Sequence, residues 1–492
     1  MVDAGKLSDL LKQAEEYEEN GDYQKAKLIY LDAAELALKF SKQSVKNKVK
    51  FETIAAQFIE KAKNTDLLIN LSKIDSIPEK SNNNKADTKS TTGKAKSPND
   101  GLIFASSKSS SIDFSKFPFN KTKIEPTIPF GLHTELGNHV DWNPNEEMNG
   151  FMMMVGGSGS GKTDGLKSLI TELVERGYPC LVLDLHGDIE VPITSINFDF
   201  TGEYSINPLK ITSLDKGEGG AIPKINQMLD SFQDSIESKF SANMITELRK
   251  TLIDLYKKMG IVQKVPDTWS RNPPNFENLN QYLNLLKDTT EARTTYLALL
   301  ARLTPLLEHP AFTGKNILDI PDIFEYPLRI NLKPLTSLSL QAVAADTIMR
   351  QVFAYAKSLG FVKEGENKFR LYIVIDEVKI LMGFRGKVND PSHIINILAT
   401  EARKFGIGLI LASQSGTHFG EDVKSNMASK MILKPMNNKE AKLNSKELHI
   451  NERLLTDLTL PGEGYLITSS DSEPRRVRMH AHSTRPYKAD KI

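Results

Sequence analysis

The chain has 492 residues, 39% of them hydrophobic and 25% charged, which is too long for one ordinary domain and has the composition of a globular protein. Its 63 Lys and Arg against 62 Asp and Glu leave a net charge of +1, so bulk basicity argues nothing about nucleic acid. The single cysteine, Cys180, excludes an internal disulfide or a multi-thiolate zinc site, and the absence of a long apolar run or signal-like start predicts a cytoplasmic protein without a membrane span.

Residues 5–70, within a first domain at 1–75, carry a helical period. Leu7, Leu10, Leu11, Ala14 and Tyr17 form one apolar stripe, and after Asn20-Gly21-Asp22 a second runs through Ala26, Ile29, Tyr30, Ala33, Ala34 and Ala37. A third passes through Val45, Val49, Phe51, Ile54, Ala55, Phe58 and Ala62, which predicts a small three-helix bundle. From Ser76 to Asp100 apolar residues nearly vanish in favour of Lys, Asn, Ser and Thr, so residues 76–123 read as a linker. Phe104, Phe114, Phe117 and Phe119, towards its end, are candidates to dock on the next domain.

Residues 124–492 alternate strands and helices. Apolar runs at 151–155, 180–184, 328–332, 371–375, 407–412 and 430–434 predict an α/β domain with a mainly parallel sheet covered on both faces. A helical segment at about 220–320 is too long for a crossover and reads as an insertion.

Gly156-Gly157-Ser158-Gly159-Ser160-Gly161-Lys162-Thr163 fits G-x-x-x-x-G-K-[ST], with a predicted strand before it and a helix after. Phosphate oxygens need several converging N–H donors, and only a loop nearly free of side chains brings the backbone that close. Lys162 is expected to reach the β- and γ-phosphates of ATP and the Thr163 hydroxyl to coordinate Mg²⁺. A Gly-rich strand-to-helix turn without ligand is the bland alternative, made improbable by the complete spacing.

A second run, "RLYIVIDEVKIL", delivers Asp376 and Glu377 to the carboxyl edge of the sheet, where open α/β sheets bind their ligands. Asp376 is the candidate for holding magnesium through water, and Glu377 for polarising the attacking water. Alone, such a run is often just a strand meeting a polar loop. With the phosphate loop it predicts hydrolysis.

With "PCLVLDLHGDIE", "SINPLKI" and "ATEARKFGIGLILASQS", these stretches resemble the HerA/FtsK superfamily of hexameric motor ATPases, in particular the HerA-like branch that includes type IV secretion ATPases. The resemblance covers roughly residues 124–480, including the lead-in "FGLHTELGNHVDWNPNEEMNGFMMMVG". It implies a RecA-like fold, a homo-hexameric ring and double-stranded DNA as partner. By the same resemblance Asp184 and Asn207 support the magnesium and water shell, Gln414 senses the γ-phosphate, and Arg403 is a finger supplied to a neighbouring subunit, with Lys404 as its substitute. Lys379, Arg385 and Lys387 are candidates for a DNA-facing pore, although each also fits ordinary surface charge.

HerA helicases begin with a small β-barrel, which residues 1–75 do not resemble. Instead "QAEEYEENGDYQKAKLIYLDAAELALKF" resembles a MIT domain, implying that residues 5–70 bind a helical tail of ESCRT-like filament subunits. The same spacing also serves a tetratricopeptide-like hairpin. Three functions follow: a DNA translocase tethered by its N-terminal bundle, an ATPase remodelling ESCRT-like filaments, or a nucleotide-switched binding module. Glu377 and Arg403 argue against the last, since a switch needs neither base nor finger.

Overall fold

The computed structural model describes residues 4–20, 22–43, 51, 53–58, 61, 108–109, 112–212, 219–236, 238–313, 316–382 and 388–484. The chain divides into two compact units, Met1–Ile103 with Leu214–Lys224 and Lys250–Pro274, and Phe104–Ser213 with Ile225–Arg249 and Asn275–Ile492. Of the expected N-terminal helices, α1 (Ala4–Glu19) and α2 (Tyr23–Gln43) form as their stripes require. Ala14, Ala26, Ala33 and Ala37 are fully buried, small side chains that let helix axes approach, and Ala55 and Phe58 of the helical residues 53–58 join the same cluster. Val45, Val49, Ala62 and most of the 76–123 linker, including Phe104, lie outside the described residues.

The larger unit is built on an eleven-stranded sheet. Its strands are β1 (Ile128–His133), β2 (His139–Trp142), β3 (Phe151–Val155), β4 (Cys180–Asp184), β5 (Thr194–Asn197), β6 (Leu328–Asn331), β7 (Leu371–Ile375), β8 (Ile407–Ser413), β9 (Ser429–Leu433), β10 (Glu463–Thr468) and β11 (Arg475–Met479). The spatial order is β2-β1-β11-β10-β9-β3-β8-β7-β4-β6-β5. From β9 to β5 all neighbours are parallel, and the remaining four pairings are antiparallel. This is the mainly parallel arrangement the apolar runs predict, and it agrees with the RecA-like fold the resemblance implies. Strands β3, β4, β7 and β8 are buried along their whole length, as parallel strands with both faces covered must be. Cys180 sits within β4, where burial pushes its thiol well above the usual range, so it packs as an apolar side chain.

Between β5 and β6 run helices Ala221–Ser235, Ala242–Lys258, Phe276–Thr289 and Arg293–Leu307. Of the linker aromatics, Phe114 stacks on Tyr326 with ring centroids 4.5 Å apart and planes 16° from parallel. Phe117 and Phe119 line the same small recess with Pro192 and Pro327. The end of the linker therefore docks on the sheet domain.

Near the amino edge of the sheet, the buried Trp142 donates its indole N–H to Ser429 Oγ at 3.0 Å, tying β2 to β9. Ser429→Ala should cost about 1–3 kcal/mol in denaturant melts, because a buried donor loses its acceptor. Ser429→Ala combined with Trp142→Phe should cost less than the sum of the two single substitutions.

Candidate nucleotide site and its relatives

The phosphate loop lies between the carboxyl end of β3 and helix α3 (Lys162–Glu175). Neighbouring elements pin it. Gly156 N–H donates to Ser413 O of β8 at 3.2 Å, Gly157 N–H to Lys434 O after β9 at 2.8 Å, and Gly462 N–H, before β10, to Ser160 O at 2.8 Å. Gly161 has φ of +85°, and a Cβ there would lie 2.3 Å from Gly462 N, so both backbone conformation and space demand glycine. A Cβ on Gly156 would meet Ser160 Oγ at 2.5 Å. Ser160 Oγ itself is buried and has no hydrogen-bond partner in the structure, which fits a loop shaped for an anionic ligand.

Lys162 and Asp376, predicted from distant motifs, meet here. Lys162 Nζ donates to Asp376 Oδ1 at 2.9 Å, both side chains being buried, and stands 4.0 Å from Glu377 Oε2. Thr163 Oγ1 donates to Asp376 Oδ2 at 3.4 Å. Glu377 adopts φ 61° and ψ 60°, a left-handed conformation that is strained for a residue with a side chain and that turns it off the end of β7. Its Oε1 accepts from Ser413 Oγ at 3.2 Å.

The other predicted residues are placed differently. Asp184 ends β4, and both its oxygens are engaged: Oδ1 by the amides of His186 at 3.2 Å and Gly187 at 2.7 Å, Oδ2 by the amide of Ile189 at 3.0 Å and by Arg329 at 2.8 and 2.6 Å. The carboxylate thus organises its own loop and pairs with the guanidinium. Asn207 Oδ1 accepts from Leu209 N at 2.9 Å, closing a turn, while its carbonyl accepts from Gln351. Gln414 follows the end of β8 and is exposed beside Ser413.

Arg403 lies in a short helix, Ala402–Phe405, before β8, and donates to Met148 O at 3.0 Å ahead of β3. It is therefore at the amino edge, separated from the phosphate loop by the length of β8, about 20 Å. It cannot serve the loop of its own chain. Lys404 is exposed beside it, as is Lys379 after Glu377, while Arg385 and Lys387 lie outside the described residues.

Residues 139–195 match a family described as the type IV secretion-system coupling protein DNA-binding domain. The DNA double-strand break repair helicase HerA of Sulfurisphaera tokodaii is 26% identical over 294 residues, which are 58% of this chain and 54% of that protein. The solved structure of VirB4 of Thermoanaerobacter pseudethanolicus superposes with a TM-score of 0.57 at 17% identity, covering 73% of this chain and 98% of that one. The chain therefore shares the fold of VirB4 and is similar in sequence to HerA over more than half of its length. Plasmid coupling protein TrwB in complex with ADP and Mg²⁺ shares the fold at a TM-score of 0.51 and 12% identity, over 75% of this chain and 97% of that one. The chain spans about half the length of the HerA relative it matches.

Three further residues of this edge went unnoticed in the sequence. Arg329 is the second residue of β6, paired in register with Val182, and carries no motif. Ser413 and His418 flank Gln414 in "ASQSGTHF", where small polar residues read as a turn. The pairing of β6 with β4 brings Arg329 to Asp184, and the pairing of β8 with β7 brings Ser413 to Glu377.

Because Asp184 is fully buried, removing its guanidinium leaves an uncompensated interior charge. Arg329→Ala should destabilise the fold by about 3–5 kcal/mol in chemical denaturation, and adding Asp184→Asn should recover part of that loss.

Proposed function

We propose that this chain is an Mg²⁺-dependent, ATP-hydrolysing motor that assembles as a homo-hexamer and translocates double-stranded DNA. The observation that carries it is the convergence of Lys162, Thr163, Asp376 and Glu377 beneath a glycine loop at one sheet edge. The DNA substrate is supported by the similarity to the HerA helicase and by the matched coupling-protein DNA-binding domain.

The residues fit a magnesium nucleotide. Among the described residues no group of three or more His, Cys, Asp or Glu side chains is placed to hold a metal ion. That suits magnesium, which takes one or two protein oxygens and completes its shell from phosphates and water. Thr163 Oγ1 and Asp376, already hydrogen-bonded, would be those oxygens. Bound magnesium would neutralise charge on the β- and γ-phosphates.

In this reading Lys162 exchanges Asp376 for phosphate oxygens, and Glu377 takes the proton of the attacking water. Gln414 meets the γ-phosphate from the end of β8. Asp184 and Asn207 act by shaping the loops around the site, because their polar atoms are engaged there. Arg403, on the far edge, serves the loop of a neighbouring subunit and makes turnover depend on assembly. Lys379 faces solvent next to the acidic strand and is available for DNA phosphates. Residues 5–70 form an MIT-like docking module for a helical partner. Remodelling of ESCRT-like filaments draws no support from these comparisons, and among the described residues no helix is long and apolar enough to cross a membrane.

Lys162→Ala should abolish ATP turnover, and intact turnover would overturn the site assignment. Glu377→Gln should bind ATP normally and hydrolyse it about 10²–10⁴-fold more slowly. Arg403→Ala should be inactive alone but partly rescued by mixing with Lys162→Ala subunits; the absence of rescue would make it a surface residue. Translocation is checked by ATP-dependent displacement of a third strand from a DNA triplex, which Glu377→Gln should not support.

A further inference from the structure

Glu377 has two carboxylate oxygens with different surroundings. Oε2 faces Lys162 at 4.0 Å, whereas Oε1 accepts from Ser413 Oγ at 3.2 Å. The sheet sets this contact: β8, which ends at Ser413, runs parallel to β7 with Leu411 paired to Ile375, and Glu377 lies just beyond the end of β7. Ser413 Oγ is also 2.6 Å from Nδ1 of His418. A hydroxyl has one proton. With that proton on Glu377, the imidazole must be the donor, so the network assigns the proton to Nδ1 of His418.

The turn carrying His418 is itself fixed. Ser415 Oγ accepts from Thr417 N at 3.1 Å, His418 N–H reaches Ser415 O at 3.3 Å, and Phe419 is buried. Burial pushes the His418 imidazole below its usual range, opposed by the Glu377 carboxylate; Lys379 and Glu440 are the other charges that bear on it. A neutral, Nδ1-protonated ring has one role in this chain of contacts, that of donor to Ser413.

We propose that His418, acting through Ser413, is a positioning residue that holds Oε1 of Glu377 and so presents Oε2 to the nucleotide side of the site. The backbone of Glu377 is left-handed and its carbonyl accepts from Ile380 N–H at 3.1 Å, so the Ser413 contact acts on the side chain. When Lys162 turns to phosphate, the Ser413 hydrogen bond is the contact that keeps the carboxylate aimed. The inference rests on the reading of Glu377 as the base that activates water.

The test uses the full chain, with kcat for ATP hydrolysis and the Kd of a fluorescent ATP analogue measured for each variant. His418→Phe keeps a ring but removes the donor, and should lower kcat about 10–100-fold with Kd within about twofold of wild type. Ser413→Ala should reproduce that loss, and the double variant should be no worse than either single one. His418→Asn, whose amide nitrogen can stand where Nδ1 stands, should restore kcat to within a few-fold of wild type. Wild-type kcat in both His418→Phe and Ser413→Ala would overturn the proposal, as would failure of His418→Asn to rescue a His418→Phe that still binds nucleotide. If His418→Phe loses nucleotide binding, Ser413→Ala alone decides. Glu377→Gln separates the two levels: wild-type turnover there refutes the base itself, whereas a slow Glu377→Gln beside a normal Ser413→Ala refutes only the positioning relay.

Discussion

A buried lysine needs a counter-charge. The pair between Lys162 and Asp376, 2.9 Å apart and nearly excluded from solvent, is the contact on which the architecture of this edge depends. An ammonium stripped of water costs several kcal/mol unless a carboxylate compensates it. The phosphate loop can present Lys162 inward only because β7 brings Asp376 to the same height. A phosphate group carries the same sign of charge as Asp376, so the pair that holds the lysine in place also leaves it where an anion could meet it.

Strand order makes that meeting possible. Strand β8 is inserted between the phosphate-loop strand β3 and the acidic strand β7, in register with both. Its last residue, Ser413, accepts from Gly156 with its carbonyl and donates to Glu377 with its hydroxyl. One residue thus couples the loop to the acidic end of β7. The same strand starts beside Arg403, which fixes that guanidinium at the opposite edge.

Much of the central sheet was legible because parallel strands buried on both faces are continuous apolar runs. The flanking strands were not. Strand β11, "RRVRM", reads as a charge run, since only Val477 and Met479 point to the core while Arg475 and Arg476 pair with Asp471 and Glu463. Strand β5 has four residues with alternate burial, too short a period to separate from a turn. In the site, Gly156–Thr163, Asp376 and Glu377 were legible because their chemistry is written in contiguous motifs. Asp184 was found by resemblance, but its engagement by Arg329 was invisible, because a pairing across 145 residues leaves no local pattern. The Ser413 and His418 contacts were hidden for the same reason.

Steady-state ATP hydrolysis by the full chain, with and without double-stranded DNA across a salt series and with Glu377→Gln as the blank, tests the central claim most directly. A DNA translocase predicts turnover that rises with DNA and loses that stimulation as salt increases, because phosphate contacts release counterions. Turnover indifferent to DNA at every salt concentration would contradict DNA as the motor's substrate, and turnover equal to the Glu377→Gln blank would contradict the motor itself.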